Sequence, residues 1–438
     1  MLLKLPLICR TVQRNASSFS VTGQRNHAGV KPYIDFVAKL HDKQKLEHNI
    51  RQRKLNIDLN ELYLLRTLDL STKRSELARL DQKIKDILTS YSNADRTAEG
   101  IESLLKSLKL DAAKTKTEFK ALAEDIKAYD DALLEKFLDL PNDIHERTPL
   151  DTSEIRFSYS SQRSIDGAEN HLDKVNYLEH HDPFCYFLKS DAAKCELQLP
   201  LHCKKMFRSF GFAPFSNPDF VRSILAEGAG IRLNDLLEII EDDPKNKFNR
   251  LHLAGSGSML SFLGFVTKLL VYRSRLPLKF VSSGKSFSLA DTASIDQGLY
   301  STCQTTNVQL FSMTIDESES LRQFDETLEQ MIKFYQRLDR TFRVRYVTAD
   351  ELAQAEQFRA DFEVYSPHRK CFVPMGHLSS YGDFISRRLL IAFKEDSRSK
   401  FKFSHLISGN VINVTRFIAI LLEEKGALSA PAILSHFK

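Results

Sequence analysis

The sequence predicts an α+β protein: an antiparallel sheet flanked by helices, preceded by a long helical arm folded back on itself. Three observations predict it. From about Lys43 to Leu140 Gly and Pro are almost absent, and apolar residues recur in steps of three and four. The stretch LDLPNDIHERTPLD, Leu138 to Asp151, then breaks that pattern with two prolines and reads as a linker. Beyond about residue 160 short apolar strand-like runs are punctuated by Gly211, Gly228, Gly230, Gly255, Gly257, Gly298 and Gly409, the texture of a mixed domain.

In chain order, the first segment is MLLKLPLICRTVQRNASSFSVTGQRNHAGVK, with Lys4, Arg10, Arg14 and Arg25, many hydroxyls and no acid before Asp35. Residues 1–34 therefore read as a mitochondrial presequence, which places the mature chain in the matrix; a disordered basic tail is the alternative. Residues 35–150 form the arm. Its first helix carries Leu77, Leu80, Ile84 and Ile87 at helical spacing, and its second Phe119, Leu122, Ile126, Tyr129 and Leu133. Ser90 to Gly100 is rich in turn formers, so the two helices are expected to pair antiparallel as a coiled coil. Residues 151–438 form the mixed domain, with strands expected at Leu278–Val281, Val308–Phe311 and Arg343–Val347 and an apolar helix at Val411–Leu422.

The 438 residues, 42% hydrophobic and 27% charged, suffice for a large core in two or three domains. A formal charge of +5 permits contact with a polyanion without requiring it. The six cysteines, Cys9, Cys185, Cys195, Cys203, Cys303 and Cys371, lack CxxC or Cys/His ligand spacing, so neither a metal site nor a disulfide framework is indicated. The longest apolar runs, such as Ser261–Tyr272, contain Lys268 and fall short of a membrane span, so no membrane insertion is expected.

Three segments carry a family resemblance. GFAPFSNPDFVRSILAEGAG, Gly211–Gly230, is similar to the first motif of class II aminoacyl-tRNA synthetases, a dimer-interface element marked here by Phe212 and Pro218. LPLKF with QGLYSTCQ, within Leu276–Gln304, is similar to the second motif, and SGNVINVTRFIAILLEE, Ser408–Glu424, to the third. With the arm and its LPN ending, the chain from about residue 45 onward resembles seryl-tRNA synthetase. That resemblance implies a class II fold, a two-fold dimer and an arm that crosses serine tRNA.

The resemblance also says which chemistry to look for. Seryl-adenylate formation uses a cation on the α-phosphate, acidic ligands for magnesium and a carboxylate on the serine ammonium. The family's Arg-x-Glu before the second-motif loop falls on Ser288-Leu289-Ala290, and its later Arg and His fall on Ser301 and Cys303. The serine-holding Thr-x-Glu falls on Ser256-Gly257-Ser258, and replacing that carboxylate removes a charged bond of roughly 1.5–3 kcal/mol. The metal-binding Glu falls on Pro374 and its Ser partner on His377, while the third-motif Arg is kept as Arg416, as are Asp361, Glu363, Asp383, Arg387 and Arg388. Lys285 stands near enough to be weighed as a substitute for the lost Arg. The expectation is a former active site with no catalytic residue, no cofactor and no metal.

The working surface expected instead is the arm, through Lys83, Lys85, Arg96, Lys106, Lys109, Lys114, Lys116 and Lys120, facing the backbone of a tRNA, serine tRNA by the resemblance. Acids such as Glu76, Asp81, Glu118 and Glu124 could equally balance these lysines as an ordinary solvated face. The expected protein partner is a mitochondrial seryl-tRNA synthetase, as a heterodimer, or a second copy of the chain. Two other classes remain open: a subunit acting through protein contacts alone, and an adenylating enzyme of altered substrate.

Overall fold

The computed structural model describes residues 30, 32–33, 36–67, 71–93, 101–163, 167–240, 250–289 and 297–436. Two compact units result: Phe36–Glu47 with Asn56–Leu140, and Met1–Asp35, His48–Leu55 and Pro141–Lys438 together.

The first unit is dominated by α1 (Ser71–Asn93) and α2 (Ile101–Leu138). Their inward residues are those of the helical spacing: Leu80 and Ile126 are buried, and Leu77, Ile84, Phe119 and Leu122 half-buried. Lys73 pairs with Asp125 at 3.4 Å and Arg74 with Asp130 at 2.9 Å, while Lys109 lies over the Tyr91 ring at 5.7 Å. The start of α1 thus meets the later part of α2 and its end meets the early part, an antiparallel pair. These exposed ion pairs add little stability; the apolar seam holds the helices.

The second unit is built on an eight-stranded sheet: β1 (Glu154–Tyr159), β2 (Ala213–Pro214), β3 (Leu278–Phe287), β4 (Gln304–Thr314), β5 (Phe342–Tyr346), β6 (Phe358–Ser366), β7 (Cys371–Gly382) and β8 (His405–Asn413). The strands lie in the order β1-β5-β6-β7-β8-β4-β3-β2, all neighbours antiparallel except β2 and β3. The three strand expectations fall in β3, β4 and β5. The expected helix Val411–Leu422 starts later, because Val411, Ile412 and Asn413 still belong to β8, the last two paired with β4.

One sheet face is covered by α3 (Ser190–Ser209), α5 (Glu317–Leu338) and α6 (Val414–Glu423), which also contribute to the main core. Phe207, Phe334 and Tyr335 are essentially fully buried there, and Tyr335 stacks on Phe362 at 4.8 Å while donating to the Val411 carbonyl at 2.9 Å. Truncating such a ring to Ala costs about 3–5 kcal/mol. Asp316 caps α5 by accepting from Glu319 N at 2.9 Å, and the Glu319 carboxylate returns to Ile315 N at 2.8 Å, two otherwise unmet donors satisfied together. Asn142, in the LPN run, is buried and donates to the carbonyls of Ala355 and Tyr381, both at 2.8 Å, which fixes the chain as it enters this unit.

Most of the expected presequence lies outside the described residues. Val30 and Pro32 are buried, and Tyr33 N donates to the Arg387 carbonyl at 2.9 Å. The packed chain therefore begins ahead of residue 34.

Candidate functional site

The sheet face opposite α3 and α6 is where the marked positions converge. Side chains alternate along β3, so Val281 and Lys285 turn toward the helices while Ser282, Gly284 and Ser286 turn away. Lys285 is fixed on the helix side: Nζ donates to Glu196 of α3 at 2.8 Å and to Thr306 at 2.9 Å, and the Thr306 hydroxyl donates to the same Glu196 oxygen at 2.7 Å. It is thus on the wrong side of β3 to replace an arginine at position 288.

On the other face the Ala254–Ser258 loop presses onto β3. The Asp219 carbonyl accepts from Ala254 N at 2.9 Å and Gly255 N at 2.8 Å, and its carboxylate accepts from Ser256 N at 2.7 Å. Ser282 donates to the Ser256 carbonyl at 3.0 Å. Gly284 is required by this approach, since a Cβ there would sit 2.0 Å from Ser256 Oγ. Ser258 accepts from Leu260 N at 3.3 Å and so caps α4 (Met259–Val266). Where the resemblance leads one to expect a carboxylate for substrate, this chain carries a helix cap.

Ser288 continues β3 and is exposed, and its N–H donates to the Cys303 carbonyl at 2.9 Å. Cys303 is buried, its own N–H donating to the Pro183 carbonyl at 2.8 Å. Ser301 is half-buried in the turn after Gly298. That turn is held by a buried network in which Leu299 N donates to His171 Nε2 at 3.1 Å, and Tyr300 and Ser366 each donate to Glu423 at 2.6 Å. Burial lowers His171 to about 4. Ser256, Ser258, Ser288, Ser301 and Cys303 are thereby gathered around β3 and β4. Ala290 lies outside the described residues.

The floor beside them is neutral and internally bonded. Gln309 donates to Ser408 at 2.9 Å, Ser408 to the Leu310 carbonyl at 2.6 Å, and Asn410 to Asn307 at 3.3 Å.

A second group sits on β5–β7. Asp361 and Glu363 are saturated by arginines: Arg345 Nε reaches Glu363 at 2.9 Å, Arg343 Nε reaches Glu363 at 2.6 Å, and Arg359 Nε reaches Asp361 at 2.9 Å. Arg345 also reaches Glu351 at 2.7 Å, and Arg359 reaches Glu356 at 3.0 Å. His377 pairs in register with Asp361, and burial lowers its pKa against the pull of Glu356 and Asp361. Pro374 is exposed, and its carbonyl accepts from Arg416 Nη1 at 3.1 Å. Burial, then Arg369, lowers the pKa of Arg416. Arg416 is therefore drawn to the backbone at Pro374, where the resemblance leads one to expect a metal-binding Glu. Asp383 pairs with Arg387 at 2.7 Å, whereas the Arg388 guanidinium lies over Phe384 at 3.9 Å.

Of the two residues expected at an interface, Pro218 is exposed, while Phe212 is buried in the core of its own chain beside Phe207, so its ring is not offered to a second chain. An exposed apolar pair not marked by the motifs lies just before, on α3: Leu197 and Leu201 are 71% and 58% exposed, one turn apart. Two leucines on the outer edge of a helix whose inner edge is already apolar would have been the signal.

On the arm, Lys83, Lys85, Lys106, Lys109, Lys114, Lys116 and Lys120 are all exposed; Arg96 lies outside the described residues. Lys85 is paired with Asp81 at 2.7 Å. Helical spacing places Lys106, Lys109, Lys116 and Lys120 along one flank of α2, continued by exposed Lys127, and turns Lys114 away from it. Glu124 interrupts this row.

The geometry defines a class II aminoacyl-tRNA synthetase core, and the family model for the tRNA synthetase class II core domain (G, H, P, S and T) matches residues 262–425. The serine–tRNA synthetase-like protein Slimp of Drosophila melanogaster is 32% identical over 427 residues, spanning 94% of this chain and 90% of the relative. The mitochondrial serine–tRNA ligase of Mus musculus is 25% identical, spanning 93% and 83%. The crystal structure of Pyrococcus horikoshii seryl-tRNA synthetase complexed with ATP superposes with a TM-score of 0.75 at 17% identity, covering 92% of this chain and 98% of that one. The chain belongs to the seryl-tRNA synthetase family.

Proposed function

We propose that this chain is a non-catalytic member of its family that binds tRNA, serine tRNA by kinship, through the flank of α2. In this reading it pairs with a mitochondrial seryl-tRNA synthetase or with its own copy, and it supports translation in the mitochondrial matrix. The observation that carries the reading is the state of the open sheet face. Ser258 is engaged as a helix cap, Lys285 is bound to Glu196 on the opposite face, Asp361 and Glu363 are matched by arginines, and Arg416 leans on the Pro374 carbonyl. Those residues do not fit a nucleotide with its magnesium, which needs opposed cations and free carboxylates. Arg416 Nε, buried without a protein acceptor, is a single spare donor and does not make such a clamp.

Kinship to mitochondrial relatives and the basic amino terminus support the location. Leu197 and Leu201 support a protein partner and favour a second reading, in which protein contacts alone carry the function. ATP–pyrophosphate exchange with serine, run beside tRNA binding by the purified chain, tests both. Binding without exchange is expected. Measurable exchange would overturn the non-catalytic reading, and absence of tRNA binding would leave the protein-only role.

A further inference from the structure

At the end of the sheet away from the β3–β4 loop, where β4 and β7 end and β8 begins, a cleft of about 700 Å³ opens. Three rings line it, Tyr33 from near the amino terminus and Phe401 and Phe403 from one segment before β8. Tyr33 lies 5.1 Å from Phe403 and 6.2 Å from Phe401, and Phe401 lies 5.4 Å from Phe403 at 76°. The rings stand at steep angles rather than closing on one another, so Tyr33 and Phe401 remain 49% and 48% exposed. The Tyr33 backbone bond to Arg387 holds the first ring in place.

The charge around the rings selects the occupant. Asp383 is neutralised by Arg387, whose guanidinium lies over Phe403 at 5.3 Å. Lys394, Lys400 and Lys402 also line the cleft; Lys402 reaches Glu395 at 3.2 Å, and Glu395 is shared with Arg273 at 2.9 Å. Burial lowers the pKa of His405, so it adds no charge at neutral pH, although Asp383, Glu317 and Asp316 pull the other way. With Arg387 matched by Asp383 and Lys402 by Glu395, Lys394 and Lys400 leave the cleft a positive balance that repels an ammonium ligand. Open rings are wasted on a bare phosphate. A flat base carrying a phosphate uses both features.

We propose that this cleft holds one unpaired nucleotide of an RNA strand, its base stacked on Phe401 and Tyr33 and its phosphates met by Lys400 and its neighbouring lysines. The site is separate from the α2 flank, which faces the backbone of folded RNA, and it stands or falls independently of it. The full chain is titrated against a fluorescein-labelled ten-residue single-stranded RNA of mixed sequence, with and without Lys109→Ala, Lys116→Ala and Lys120→Ala together. Equal binding by both is expected. Phe401→Ala, an exposed substitution that leaves the core intact, is expected to weaken it about 5- to 150-fold, the range for one base on one ring, and Phe401→Tyr to restore it. Circular dichroism checks that each variant is folded. Three results would overturn the proposal: no RNA binding, binding indifferent to Phe401→Ala and Lys400→Ala, or equal displacement by polyglutamate, which has charge without rings. If uridine monophosphate bound as tightly as the oligomer, a free nucleotide rather than RNA would be the occupant, and the RNA assignment would fail.

Discussion

Replacing Lys109, Lys116 and Lys120 with Ala tests the arm at the row where its charge is densest. At 1.5 Å per residue, Lys106 to Lys127 spans about 30 Å of α2, enough to follow several phosphates of one strand. Each phosphate neutralised by a lysine releases counterion and adds roughly 0.7–0.9 to the slope of log affinity against log salt. At 0.15 M salt each contact then contributes roughly 0.6–0.7 of a log unit, so the triple variant is expected to bind serine tRNA about 100-fold more weakly, with a slope flatter by about two to three. The helix itself tolerates the change, because Ala is the best helix former and these side chains are exposed. Filter binding across 50–300 mM salt, with about those concentrations as limits, reads slope and affinity together. Lys85→Ala is the control: Lys85 is already neutralised by Asp81, so its loss should matter less than any single lysine of the row. Glu124→Ala, which removes the acid interrupting the row, should tighten binding. A triple variant with unchanged slope would show that RNA does not lie on this flank and refute the reasoning.

Three further outcomes follow from the body of the protein. His171, lowered to about 4 by burial against an ordinary 6.5, takes up its proton in the unfolded chain first, so stability is lost as pH falls from about 6.5 to about 4 and levels off below. The full effect is about 3 kcal/mol, and denaturant melts of the parent and of His171→Gln should show that pH dependence reduced in the variant. Ser258→Ala removes the cap of α4 and should cost about 1 kcal/mol in the same melts, without changing the outcome of the serine exchange assay. Leu197→Lys with Leu201→Lys should leave stability within about 0.5 kcal/mol, since both are exposed, yet reduce the sedimenting mass of any assembly built on α3; an unchanged mass would move the interface elsewhere.

The fold class was legible because it depends on order and spacing. The 3.6-residue periodicity identifies the arm helices and their inward residues, and the local motifs fall on β3, β4, β7, β8 and the start of α6. Partnership was not legible. Lys285 and Glu196 are 89 residues apart, and only the alternation along β3 with the packing of α3 shows that they meet on the helix side. Phe212 lies within a motif associated with an interface, yet its ring belongs to the core, because Phe207 and Phe212 straddle the turn after α3 and pack at 5.7 Å. Tyr33 is far from the Phe401–Phe403 pair in sequence, and its backbone hydrogen bond to Arg387 accompanies their meeting in the fold.

These separate outcomes share a physical logic. A buried carboxylate or guanidinium that no longer meets a ligand is costly unless something else satisfies it. The Ser258 hydroxyl caps a helix, and Asp361 and Glu363 are matched by Arg343, Arg345 and Arg359. Arg416 keeps its charge without an acid and borrows the Pro374 carbonyl. Each position has settled into a local partner, so restoring one family residue would break an existing bond before it made a catalytic one. Ser258→Glu alone, for example, removes the small hydroxyl cap while position 288 still lacks a cation and position 374 a metal ligand. It should therefore give no serine-dependent exchange while losing about 1 kcal/mol of stability. Exchange appearing in that single variant would mean that the rest of the site had stayed intact, and would undo the proposal that the open face of this sheet is no longer a place for chemistry.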